Sequence, residues 1–253
     1  MYNDLFSIGP LSFHTYGLMT GIGIAAAWMA AETSARKKGL PSERIFPLVL
    51  WCLLFGYAGS KLLYALTILP ELLRDPAGFL RSFSGGWVIF GGLLGGILGG
   101  WLYCRRYRLP AWRFFDMGMP CVALAQGFGR IGCFFAGCCY GVETDSLFSV
   151  VFTRSDFAPN HVHLVPTQLI SAAGDFALCA LLLLCGRRQR RNGIVTALYL
   201  ILYSGGRILV EFWRGDLERG FLGPLSTSQF IGLFTLAAGF ILLAIRKGRP
   251  AEG

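Results

Sequence analysis

Seven stretches of the chain stay apolar for long enough to cross about 30 Å of hydrocarbon as helices: residues 13–31, 45–69, 86–104, 112–133, 167–186, 194–213 and 225–245. Short polar or Gly/Pro-bearing connections separate them, except for residues 142–166, which are long enough to build a small cap. The pattern predicts an all-α, polytopic membrane protein of about seven transmembrane helices, formed as one integral membrane domain over residues 1–253. It shows no internal repeat and no separate soluble domain. In the third segment Gly91, Gly92, Gly95, Gly96, Gly99 and Gly100 place small residues at four-residue spacing on adjacent stripes, which lets two helix backbones approach closely. The second segment carries Gly56, Gly59 and Lys61, and its lysine requires a buried partner or a route to an interface.

Composition agrees with that pattern. Of the 253 residues 54% are hydrophobic and 15% charged, against about 25% charged in a soluble domain. The net charge of +9 does not point to nucleic acid, because the basic residues sit in short clusters between apolar segments instead of along one face. One set of connections holds Arg36, Lys37, Lys38, Arg44, Arg105, Arg106, Arg108, Arg113, Arg187, Arg188, Arg190, Arg191, Arg246, Lys247 and Arg249. The other holds Arg74, Arg81, Arg130, Arg154, Arg207, Arg214 and Arg219. By the positive-inside rule the N-terminus lies outside and the C-terminus in the cytoplasm. Met1 to Ser12 contains no lysine or arginine, so no signal-peptide n-region precedes the first segment, which is expected to be retained.

The chemistry must come from polar groups that lipid penalises. From Gly129 to Gly141 an arginine, three cysteines and four glycines fall within thirteen residues, and Arg130 there is costly unless it meets an anion. A tight turn with a snorkelling arginine is the bland alternative. Arg207 and Glu211 stand one helical turn apart in the sixth segment. They read either as an ion pair that holds helices together or as part of a phosphate site, since guanidinium forks bind phosphate bidentately. His14 and Tyr16 open the first segment on the same outer side. The eight cysteines are Cys52, Cys104, Cys121, Cys133, Cys138, Cys139, Cys179 and Cys185. Cys133, Cys138 and Cys139 lack the C-x-x-C pairs of a zinc site, and His161 and His163 lie far along the chain, so no metal is expected. Adjacent Cys138 and Cys139 would pair as a disulfide only with strain. A catalytic thiol stays open beside the reading that these cysteines shape a pocket.

Gly129-Arg130-Ile131-Gly132, followed by Gly137 and Gly141, resembles the signature of the prolipoprotein diacylglyceryl transferase family. Tyr16-Gly17-Leu18, Phe90 to Gly96, Pro166-Thr167-Gln168-Leu169 and Arg207 to Asp216 occur in that family's order, so the resemblance spans nearly the whole chain. It implies a seven-helix protein of the bacterial inner membrane, N-terminus outside. The implied reaction moves diacylglyceryl from phosphatidylglycerol to the lipobox cysteine thiol of a preprolipoprotein and releases glycerol-1-phosphate, with no cofactor. The implied partners are phosphatidylglycerol, the signal-peptide and lipobox segment, and membrane lipids. By the same resemblance Arg130 and Arg207 engage the head group, while Tyr16, Glu211 and Gly141 are functionally sensitive. Gly91, Gly92, Gly132, Gly137 and Gln168, in the matched stretches, are expected to line the substrate site.

Two departures stand out. Phe90 occupies the position where many members carry a histidine proposed as the base for the incoming thiol, and Cys133 and Cys138 stand where many carry asparagine and glutamate. The cysteines match a cysteine-bearing version of the signature. Phenylalanine cannot take a proton, which leaves His14, Glu211, water or the field of the arginines to help the thiol ionise. Two rival readings remain: a related transferase that moves a phospholipid-derived group to another acceptor, and a non-catalytic lipid-binding or transport protein of the same fold.

Overall fold

A computed structural model describes residues 4–8, 11–74, 85–188, 191–216, 220–223 and 225–248. Arg81, Arg190, Arg219 and Arg249, which enter the charge asymmetry, lie outside the described residues. The helices are α1 (Thr15–Lys37), α2 (Ile45–Thr67), α3 (Leu69–Arg74), α4 (Ile89–Arg106), α5 (Ala111–Ala136), α6 (Thr167–Arg188), α7 (Ile194–Glu211) and α8 (Thr227–Lys247). A long helix therefore lies at each predicted apolar segment. Five spans, Ser42–Thr67, Ala111–Ala136, Thr167–Arg188, Ile194–Glu211 and Thr227–Lys247, are long and apolar enough to cross a membrane. They present large apolar side chains outward, among them Leu54, Leu184, Leu209, Phe234 and Ile241, as a multi-pass membrane protein does.

Strands occur where the periodic pattern predicted none. They form three antiparallel pairs: β1 (Asp4–Ile8) with β2 (Leu11–His14), β3 (Val150–Val151) with β4 (His163–Leu164), and β5 (Phe221–Leu222) with β6 (Leu225–Ser226). Each is two to five residues long, too short for an alternating pattern to register in sequence. Phe13 and His14 accordingly belong to β2, and the first helix starts at Thr15.

The chain divides into two compact units, residues 32–114 and residues 1–31 with 115–253. Within the first unit α2 and α4 pack backbone to backbone. A Cβ on Gly91 would lie 2.3 Å from the Gly59 carbonyl oxygen, and one on Gly95 would lie 2.2 Å from that of Phe55. The four-residue glycine spacing thus acts as a contact seam. Lys61 finds its partners on the chain that leads into α4: its Nζ donates to the carbonyls of Gly85 (2.7 Å) and Gly86 (3.1 Å) and stands 4.0 Å from the centre of the Trp87 ring.

In the second unit Ala123, Leu178, Cys179, Leu182, Val195 and Tyr199 form an apolar cluster between α5, α6 and α7. The start of α7 is tied to α5 by buried Asp116, whose carboxylate accepts from Gly193 N (2.6 Å), Thr196 N (2.8 Å) and Thr196 Oγ1 (2.6 Å). The two backbone N–H groups are donors that a helix N-terminus otherwise leaves unsatisfied. Helix α8 begins on a capping box, with Ser226 Oγ accepting from Gln229 N and Gln229 Oε1 from Ser226 N, each at 3.1 Å. Phe152, Ala158 and Leu164 give the cap over residues 142–166 a small core of its own, against which Phe134 and Tyr140 pack.

The glycine seam predicts Gly91→Ala to be destabilising, by about 1–3 kcal/mol, because the atom it would strike is backbone. Gly118→Ala, with nothing within 4 Å, should be neutral or slightly stabilising. Thermal unfolding of the two variants in detergent checks this, and equal melting temperatures would contradict it.

Candidate functional site

The site begins where α5 ends. Gly137 takes a left-handed backbone (φ +76°), and a Cβ there would lie 2.1 Å from Ser155 Oγ. The next carbonyls are each held from another segment: Gln168 Nε2 donates to Cys138 O (2.9 Å), Thr167 Oγ1 to Cys139 O (2.8 Å), and Gly215 N to Tyr140 O (3.0 Å). Gly141 pairs with Arg214 as an isolated bridge, and its ideal Cβ position is 2.4 Å from Val165 O. The loop after α5 is thus pinned to the start of α6 and to the chain just beyond α7.

Residues from α5, α6, α7 and the turn beyond α7 line a groove of about 460 Å³, with Arg130, Ser171, Asp175, Tyr203, Arg207 and Trp213 as its polar and aromatic members. Leucines and isoleucine make up much of its remaining wall. Arg207 Nη2 lies 2.9 Å from Glu211 Oε2 and donates to Ser228 Oγ at 3.0 Å. Glu211, 2% exposed, also stands 3.5 Å from Arg214 Nη1, and Arg214 in turn pairs with Asp216. The i, i+4 pair expected from sequence therefore forms as the centre of a four-residue charge network. Arg130 is different. Among the described residues it has neither a hydrogen bond nor an ion pair within 4 Å, and the groups within its electrostatic reach include Asp175, Tyr203, Cys133, Cys139 and Arg207.

The predicted residues are distributed as follows. Arg130 and Arg207 line the one groove. Glu211 lies behind it, against Arg207. Tyr16 packs on Gly132, where an added Cβ would come within 3.2 Å of the Tyr16 ring. Gly137 and Gly141 shape the pinned loop, and Gln168, 1% exposed, holds that loop through the Cys138 carbonyl. Gly91 and Gly92 belong to the unit of residues 32–114, where they face Gly59 and Gly56.

Sequence reasoning passed over Asp175, Tyr203, Arg214 and Ser228. Asp175 carried a readable signal, because it is the lone acid inside the apolar stretch 167–186, where lipid penalises a charge. It is 6% exposed, and its Oδ2 has no hydrogen-bond partner among the described residues.

Cys133, Cys138 and Cys139 are free thiols whose sulfur atoms all lie within 4.8 Å of one another. Cys138 Sγ also points to the Cys133 carbonyl at 3.8 Å. Hydrogen bonds from Cys133 and Cys138, with the nearby charges of Arg214 and Arg130, draw the Cys139 thiol well below the usual thiol range. Hydrogen bonding to Cys133 and Cys139 pushes Cys138 the other way. The arrangement can seat an anion against Arg130 and Arg207, cover apolar chains along the groove and hold a thiolate in the field of Arg214 and Arg130.

The family model for prolipoprotein diacylglyceryl transferase matches residues 3–245. The chain is similar to the phosphatidylglycerol–prolipoprotein diacylglyceryl transferase of Clostridium tetani (strain Massachusetts / E88), 41% identical over 97% of this chain and 98% of the relative. It is similar as well to transferase 2 of that name from Clostridium perfringens (strain 13 / Type A), 40% identical over 98% of each chain. The Pseudoalteromonas atlantica (strain T6c / ATCC BAA-1087) transferase is 33% identical over 98% of this chain and 91% of its own.

The thiol cluster predicts selective labelling. A lowered pKa keeps the thiolate as pH falls below the ordinary thiol range, so at about pH 6 iodoacetamide should modify Cys139 before Cys138 in chelator-treated protein. Peptide mapping by mass spectrometry reads the order, and labelling of Cys138 first would contradict the assignment.

Proposed function

This chain belongs to the prolipoprotein diacylglyceryl transferase family, and we propose that its groove is where phosphatidylglycerol gives up its diacylglyceryl group to the thiol of a lipobox cysteine. The protein is a transferase acting on prolipoproteins. The observation that supports this site best is Arg130, a guanidinium that lines an apolar-walled groove beside Arg207 with no anionic partner within 4 Å among the described residues. A phosphodiester supplies what Arg130 lacks, and the leucine-rich wall suits the acyl chains. The acceptor thiolate attacks the glycerol carbon, the carbon–oxygen bond breaks, and glycerol-1-phosphate leaves with the electron pair. Negative charge gathers on the departing phosphate, so Arg130 and Arg207 stabilise the transition state more than the bound lipid.

Glu211 acts through Arg207. Held by two arginines, it is a firm anchor for the fork that faces the lipid. Tyr16 and Gly132 close the loop side of the site, and Gln168 keeps Cys138 and its neighbours in place. The chain crosses the inner membrane seven times, with α1 and α4 added to the five apolar spans, the N-terminus outside and the C-terminus cytoplasmic. Arg130, Arg207, Tyr16 and the start of α6 then share the outer end of their helices, where an exported signal peptide presents its lipobox.

Transfer from labelled phosphatidylglycerol to a lipobox peptide in detergent tests the reaction. Rescue of a strain depleted of its own transferase tests the acceptor. Consumption of lipid without a lipidated peptide would count against the reading. Arg130→Lys should lower kcat/KM by roughly thirtyfold, about 2 kcal/mol, because a point charge keeps the attraction but loses the fork. Glu211→Gln should leave partial activity with an unchanged pH profile; complete loss together with a vanished pKa would make it the base instead. For the topology, a C-terminal reporter fusion should fluoresce in the cytoplasm and give no periplasmic phosphatase activity.

A further inference from the structure

The three thiols gathered at the end of α5, two of them within electrostatic reach of Arg130, form a constellation that head-group binding does not use. Their sulfurs lie within 4.8 Å of one another, and tetrahedral zinc with bonds of about 2.3 Å needs sulfurs about 3.8 Å apart. Closure thus asks for a contraction of about 1 Å at most, in a stretch where Cys133 comes from the last turn of α5 and Cys138 and Cys139 from the pinned loop. Soft sulfur ligands select zinc and similar cations over magnesium or calcium. Three thiolates around a divalent ion carry one net negative charge, which Arg130 and Arg214, both within electrostatic reach of Cys139, neutralise. Three protein ligands also leave the fourth position open, as catalytic zinc sites do and structural ones do not.

That open position meets a need of the reaction. The acceptor thiol must ionise before it attacks, Glu211 is committed to two arginines, and among the described residues the groove is lined by no histidine and by a single carboxylate, Asp175, which Arg130 and Arg207 both reach electrostatically. A thiol that binds zinc is deprotonated outright. Resting on the transferase reading above, we propose that Cys133, Cys138 and Cys139 hold a zinc ion whose open position takes the acceptor cysteine as a thiolate, beside the phosphate held by Arg130 and Arg207. On binding, the acceptor S–H bond breaks and its proton leaves to water. The sulfur then forms its bond to the glycerol carbon as the carbon–oxygen bond breaks towards phosphate. The thioether product, a weak ligand, leaves the metal, and nothing is oxidised or reduced.

The test uses the full chain in detergent, stripped with a chelator under reducing conditions and titrated with Co(II) and Cd(II). About one equivalent should give thiolate-to-metal charge-transfer absorption and tetrahedral cobalt bands. Cys133→Ser and Cys138→Ser should each weaken binding at least tenfold, while Cys185→Ser, outside the cluster, should not. A lipobox peptide should shift the cobalt spectrum and its cysteine-to-serine analogue should not. Stripping should abolish transfer and zinc should restore it. Absence of the thiolate band, or a band indifferent to the serine changes, overturns the site. Full activity in protein shown metal-free by elemental analysis overturns the zinc and leaves the transferase reading standing. A cobalt-loaded site in a protein that transfers nothing from phosphatidylglycerol overturns the reaction assigned to the metal.

Discussion

An arginine among apolar helices cannot shed its charge, so something must answer it. Around that constraint the second unit is arranged. Arg207 and Arg214 are answered internally, by Glu211, Ser228 and Asp216. Arg130 is left to the groove, with Asp175 as a carboxylate within its electrostatic reach. An unanswered cation in a membrane segment costs about 3 kcal/mol, a cost that an anionic lipid removes on binding. On the proposed reading, the requirement of that one side chain is the recognition element for the lipid phosphate.

Placing that side chain takes a stiff backbone. Donors from Thr167, Gln168 and Gly215 hold three successive carbonyls after α5, and Gly141 sits where a Cβ would strike the backbone of the Val165 segment. The loop can therefore bring Cys138 and Cys139 close to Cys133 of α5 without secondary structure of its own. The cap contributes through Ser155, which fills the space beside Gly137, and through Phe152, which packs on Phe134 at the end of α5. The same seating puts Tyr16 against Gly132, so the start of α1 becomes a wall of the site.

Much of this was legible along the chain. Runs of apolar residues marked each long helix, within a few positions except that α1 continues six residues past its predicted end to Lys37, because backbone polar groups in hydrocarbon are satisfied within a helix. The glycine repeat of α4 announced its contact with α2, and the i, i+4 spacing announced the Arg207–Glu211 pair. Lys61 showed its need for a partner but not the partner, since the carbonyls of Gly85 and Gly86 lie some two dozen residues away. Asp175 was equally visible as an isolated acid, yet its neighbours on α5 and α7 were not. The short strands were hidden, because pairs of two to five residues are fixed by their ends and leave little periodicity.

What the sequence determined by itself was everything carried by local period and by transfer cost: the helices, the glycine seam, the i, i+4 ion pair and the list of charges that lipid would not tolerate alone. What only the tertiary structure decided was which of those charges meet. Arg130 and Arg207 lie 77 positions apart, and no rule of spacing says that they face one groove, that Glu211 serves two arginines, or that Cys133 folds back on Cys138 and Cys139. The physical reason is range. Hydrophobic periodicity and helix geometry act over a few residues and can be read in one dimension, whereas convergence on a ligand depends on how separate helices pack and on the loops that pin their ends.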